Sequence, residues 1–118
     1  MTDQVSLHAG ISVPLERHAA ERVAEVIAAI AVPVRIRILS LIATAPQPVS
    51  IMDLTPVVGV TQSTVSHHVN TLSRAGLINV ERKGVFVRIT LNAERFEELR
   101  VVFDLALGAK AKPVRRRR

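Results

Sequence analysis

A chain of 118 residues with 48% apolar side chains has room for one core, and hence one domain. It holds no Cys, which excludes disulfides and thiolate metal centres, and only three Phe with no Trp or Tyr, which leaves no stacking platform for single-stranded nucleic acid. The net charge of +6 is matched by Lys110, Lys112 and Arg115 to Arg118 alone; within the rest, residues 31–92 are basic while residues 1–30 and 93–109 are acidic, so a polyanion would meet the middle of the chain.

Residues 1–13 carry no defensible period and are expected to form a flexible arm. From Pro14 or Leu15 to Ile30, the residues Ala19, Val23, Val26, Ile27 and Ile30 recur at helical spacing, with Pro14 suited to a first turn. So apolar a helix near a terminus calls for a second surface to pack on. A second, thoroughly buried helix follows Pro33, with Arg35 and Arg37 projecting outward, and ends before Pro46-Gln47-Pro48. A third runs from about Ser50 to Val57 with Ile51 and Leu54 inward, and Pro56 makes its end irregular.

Gly59 then supplies a turn, and Thr61 an oxygen to cap a helix running to Ala75. Val65, Val69 and Leu72 give that helix one narrow apolar stripe. Its other face carries Thr61, Gln62, Ser63, Thr64, Ser66, His67 and Asn70, short uncharged donors and acceptors suited to base edges and phosphates. His68 lies beside Val65 and Leu72, so it reads as a packed, hydrogen-bonded histidine, with His67 the outward one. The third and fourth helices with their glycine turn have helix-turn-helix spacing. Gly76 stops the fourth helix, and Leu77 to Arg82 and Val85 to Leu91 read as strands with one buried face, joined by a basic tip where Arg82 and Lys83 can meet phosphate. Asn92 is placed to cap a last helix, Ala93 to Leu107, with the stripe Phe96, Leu99, Val102, Phe103, Ala106 and Leu107. Gly108 ends it. The fold expected is mainly α with a β-hairpin, a winged helix-turn-helix over residues 14–108, followed by a basic disordered tail over residues 109–118. Val23, Ile27, Ile30, Phe96, Leu99 and Phe103 exceed the needs of so small a core and point to a homodimer interface.

No enzyme reading survives. Ser66, His67 and His68 are consecutive on a helix and diverge by about 100° each, so no nucleophile and base converge, and no phosphate-cradling glycine loop is present. The longest apolar run, Ala28 to Val34, is too short to span a bilayer, and a cytoplasmic protein with no membrane partner is expected.

The segment Val32-Pro33-Val34-Arg35-Ile36-Arg37-Ile38-Leu39, with Asp53-Leu54, Gln62-Ser63-Thr64-Val65-Ser66-His67-His68-Val69, Leu72, Ala75-Gly76-Leu77 and Gly84, closely resembles the ArsR/SmtB family of winged-helix repressors. The resemblance covers roughly residues 20 to 105. It implies a homodimer built from the first and last helices, a recognition helix in the major groove, a wing on the flanking backbone, and release of operator DNA by an inducer that is usually a metal ion. Two departures alter the inducer. Ser50-Ile51-Met52 stands where arsenic and cadmium sensors carry a Cys-x-Cys pair, and a hydroxyl with a thioether cannot replace two thiolates. The last helix, where other members bind metal through Asp and His, contains no His.

The expected function is therefore a sequence-specific repressor that binds double-stranded DNA at a palindromic operator as a homodimer and leaves it on binding an effector. Two alternatives stand beside it. A co-regulatory protein could act through the apolar first and last helices, or nickel or zinc could be held by His8 or His18 with carboxylates such as Glu21 across the dimer.

Overall fold

The computed structural model describes residues 5–108, and the tail expected to be disordered lies outside the described residues. The order is α1 (Arg17–Ile30), α2 (Pro33–Thr44), α3 (Ile51–Val58), α4 (Gln62–Arg74), β1 (Ile78–Lys83), β2 (Phe86–Leu91) and α5 (Ala93–Ala106). This is the winged helix-turn-helix expected, with the two strands paired antiparallel from Ile78 opposite Leu91 to Lys83 opposite Phe86. No single helix among the described residues is long and apolar enough to cross a membrane.

Local chemistry explains most boundaries. Glu16 caps α1 by accepting from the Ala19 N–H at 2.6 Å, so the helix starts at Arg17 and Pro14 stays outside its first turn. Pro33, with no N–H to satisfy, opens α2. Ser50 and Asp53 form a reciprocal capping box at the start of α3, the Ser50 N–H donating to Asp53 at 2.8 Å and the Asp53 N–H to the Ser50 hydroxyl at 3.1 Å. Pro56 is accommodated inside α3, which ends on Gly59 at φ +72°, a left-handed cap that a side chain would strain. The loop before α3 also joins the wing: Val49 and Ile89 exchange both backbone hydrogen bonds, at 3.1 and 2.7 Å. One core results, with Ile38, Val65, Leu72, Leu77 and Ile89 at its centre.

Several expectations need correction. From Val5 onward the arm packs onto the domain: Leu7 is 2% exposed and its N–H donates to Glu98 at 3.0 Å. Helix α2 is not thoroughly buried, because the inward positions at i, i+3, i+4 and i+7 are Arg35, Ile38, Leu39 and Ile42, which leaves Ile36 half exposed and turns Arg35 inward. Asn92 does not cap α5; its amide donates instead to the Gly76 carbonyl at 2.8 Å, tying the start of α5 to the end of α4. In β2 only Ile89 is fully buried, while Val85 and Phe86 at the hairpin tip are 91% and 72% exposed. Of the six residues assigned to a two-fold interface, Val23 and Leu99 lie inside the protomer core, and Ile27, Ile30, Phe96 and Phe103 keep some or much of their surface.

Leu99→Glu should therefore unfold the protomer instead of yielding folded monomers, because the carboxylate would enter an apolar site without a partner, at a cost of several kcal/mol. Circular dichroism melting checks this: loss of the cooperative transition is expected, and a folded monomer with native melting would refute the placement.

Candidate nucleic-acid interface

The buried stripe of α4 decides what the helix shows to solvent. Val65, Val69 and Leu72 are at most 2% exposed, so the opposite side is turned out: Gln62, Ser63, His67 and Asn70 are exposed, and Thr64 and Ser66 partly so. Thr61 organises the first turn. Its hydroxyl accepts from the Thr64 N–H at 3.2 Å and lies 2.8 Å from the Thr64 hydroxyl and 3.2 Å from that of Ser63. Three hydroxyls thus cluster where the helix dipole is positive, a chemistry that suits a phosphate.

His68 sits on the other side of the helix. Its Nδ1 accepts from Arg35 Nε at 3.1 Å, which places the ring proton on Nε2, and Arg35 Nη1 reaches the Ala29 carbonyl at 3.3 Å. Burial, then Arg35 and His67, hold the His68 imidazole below its usual range. This neutral imidazole links α4 to α2, and the rings of His67 and His68 stand 5.6 Å apart with planes tilted by 55°. The spacing in α2 already held the signal for Arg35, which shares the register of Ile38, Leu39 and Ile42.

The wing adds charge. Arg82 and Arg88 are exposed and no side-chain hydrogen bond or ion pair engages either among the described residues; Lys83 lies 3.3 Å from Glu81, an exposed pair worth little. Gly84 takes φ +61° in a two-residue turn, which lifts Val85 and Phe86 to the tip. Arg88, absent from the expected contacts, alternates outward between Val87 and Ile89.

The histidines of the arm and α1 do not make a metal centre within one chain. His8 Nδ1 lies 3.5 Å from Glu98, and His18 is exposed near the start of α1. Burial raises the Glu98 carboxyl, yet hydrogen bonds from Ser6, the Leu7 N–H and Arg95 outweigh this and hold it below its usual range, so its lone pairs are already committed. Glu97 is likewise held by Arg100. Among the described residues no three His, Cys, Asp or Glu side chains converge as ligands. The donor set does not fit nickel or zinc without a second chain.

Five helices and the antiparallel hairpin together define a winged helix-turn-helix. Residues 32–80 match the family described as bacterial regulatory protein, arsR family. It is 40% identical over 73 residues to the HTH-type transcriptional regulator NmtR of Mycobacterium tuberculosis, an alignment covering 62% of this chain and 59% of that protein. An ArsR-like transcriptional regulator from Rhodococcus sp. RHA1 superposes with a TM-score of 0.67 at 22% identity, over 80% of this chain and 86% of that one. The homodimeric winged helix-turn-helix DNA-binding domain of Mb0332 from Mycobacterium bovis, described as a possible ArsR-family transcriptional regulator, gives a TM-score of 0.61 at 23% identity, over 81% and 90%.

The His68 environment sets a pH dependence. Because the folded chain resists protonating His68 while the unfolded chain does not, stability should fall as pH drops through the ordinary imidazole range, and His68→Gln should flatten that part of the profile. Urea midpoints between about pH 7.5 and about pH 5 check this, and an unchanged slope in the variant would contradict it.

Proposed function

We propose that the chain is a DNA-binding transcriptional repressor that acts as a homodimer on a palindromic duplex site. The observation that carries this is the uncharged hydrogen-bonding face of α4, held outward by its buried stripe beside a wing bearing Arg82 and Arg88. Gln62, Ser63 and His67 reach base edges in the major groove, and Thr61, Thr64 and the wing hold the backbone. The homodimeric M. bovis domain supports the pairing, as does the apolar surface left on α1 and α5 at Ile27 and Phe103, which are 37% and 43% exposed. Domain limits of 14–108 fit this reading, with Leu7 of the arm added to the core. An effector releases the DNA. Control by nickel or zinc through His8 or His18 would require ligands from the second subunit, and calorimetric titration of either ion into wild type and the His8→Ala/His18→Ala variant decides it.

Replacing Gln62 or Ser63 by Ala should cost roughly 1 to 3 kcal/mol on a cognate site and little on random duplex, whereas Arg82→Ala should weaken both and lower the salt slope by about one. Fluorescence anisotropy on both duplexes checks this; equal losses from Gln62→Ala on both would demote that residue to a backbone contact, and an unchanged slope would remove the wing.

For assembly, Phe103→Glu should give folded monomers at micromolar concentration, since Phe103 faces outward. Sedimentation velocity reads this, and a dimer that persists in the variant would move the interface elsewhere.

A further inference from the structure

Three arginines occupy positions where helix periodicity calls for an aliphatic residue. Arg22 precedes Val26 and Ala29 by four and seven residues on α1, Arg35 precedes Leu39 and Ile42 on α2, and Arg95 precedes Leu99 and Val102 on α5; all six of those partners are buried. The three meet in one place. They line an open cleft of about 530 Å³, to which Arg74 and Thr71 of α4 also contribute, and among the described residues the one carboxylate on its wall is Glu25.

Two of the three guanidiniums are held in place by hydrogen bonds. Arg95, 6% exposed, donates to the carbonyls of Ala75 at 3.1 Å and Val5 at 2.7 Å and to Glu98 at 3.3 Å. Arg35 is fixed by His68 and the Ala29 carbonyl. The Nε of Arg22 is buried and has no hydrogen-bond partner among the described residues. A guanidinium donor removed from water without an acceptor is costly, which marks this wall of the cleft as lacking, among the described residues, an acceptor for it.

We propose that this cleft binds a small organic oxyanion, a phosphate or carboxylate head on an apolar body. The fork of arginine N–H groups matches either head, Val26 and Ala29 supply an apolar floor, and the volume lies within the usual range for small-ligand sites. The site touches the recognition helix twice, through Thr71 and Arg74 directly and through the Arg35–His68 hydrogen bond. An anion that draws Arg35 toward itself competes with His68 for that donor and alters the seating of α4, so ligand and DNA binding are linked. This linkage rests on the proposed function; the binding site does not.

The test uses the full chain, with phenyl phosphate and benzoate as probes and sodium chloride at matched ionic strength as the control. Calorimetry and thermal melting should show saturable binding of at least one probe, with the dissociation constant raised at least tenfold in Arg22→Gln and in Ala28→Glu, which sets a carboxylate on the cleft wall at an exposed position. Arg17→Gln, on exposed α1 surface, should bind as wild type. Binding of neither probe, an equal melting shift from sodium chloride, or unaltered affinity in folded Ala28→Glu would overturn the site. In anisotropy the bound probe should weaken operator binding at least threefold. A chain that binds the probe and never binds DNA would overturn the linkage and leave the site standing.

Discussion

Everything at the exposed polar face of α4 depends on the three aliphatic side chains that point the other way. Val65, Val69 and Leu72 are sealed in the core, and a helix anchored at i, i+4 and i+7 cannot rotate without exposing them. Burying three such side chains favours the folded state by several kcal/mol, far more than the hydroxyls of the outer face contribute through their mutual hydrogen bonds. The polar face is thus free to be chosen for chemistry. Its orientation is fixed by packing, and its first turn is organised by Thr61, whose cap lies in the loop and does not compete with that packing.

A second constraint gathers at Arg95. One buried guanidinium ties the arm at Val5, the end of α4 at Ala75 and the carboxylate of Glu98, which in turn holds the Leu7 N–H. Buried ion pairs rarely add net stability over an apolar filling, but removing one partner strands the other. The pair therefore specifies where the arm lies more than it strengthens the fold. This distinguishes the arm from a free tail, and its proximity to the arginine-lined cleft makes it part of that wall.

The sequence carried the element order, the glycine turns and the outward face of α4, because those follow from local rules that the structure obeys. What it hid were the charged residues in apolar register. Apolar periodicity alone points Arg35 to solvent, whereas its spacing to Leu39 and Ile42 places it inward, and Arg22 and Arg95 share that register on their own helices. Val23 and Leu99 failed in the opposite direction. An apolar residue on an amphipathic helix can serve the core or a partner, and only the tertiary packing separates Leu99, 6% exposed, from Phe103, 43% exposed, four residues later. The Val49–Ile89 bridge had no local signature, since a pairing across forty residues leaves none. Glu98, the carboxylate nearest His8, is spent on Leu7 and Arg95 in the fold, a commitment that sequence spacing does not reveal.

The outer face of α4 is proposed to read a duplex through its major groove. Methylation interference on a site selected from a random duplex pool tests it most directly, because dimethyl sulfate marks the guanine N7 in the major groove and the adenine N3 in the minor groove. Interference at guanine N7 within two symmetric half-sites is the result predicted. Interference confined to adenine N3, or no selected site at all, would contradict it.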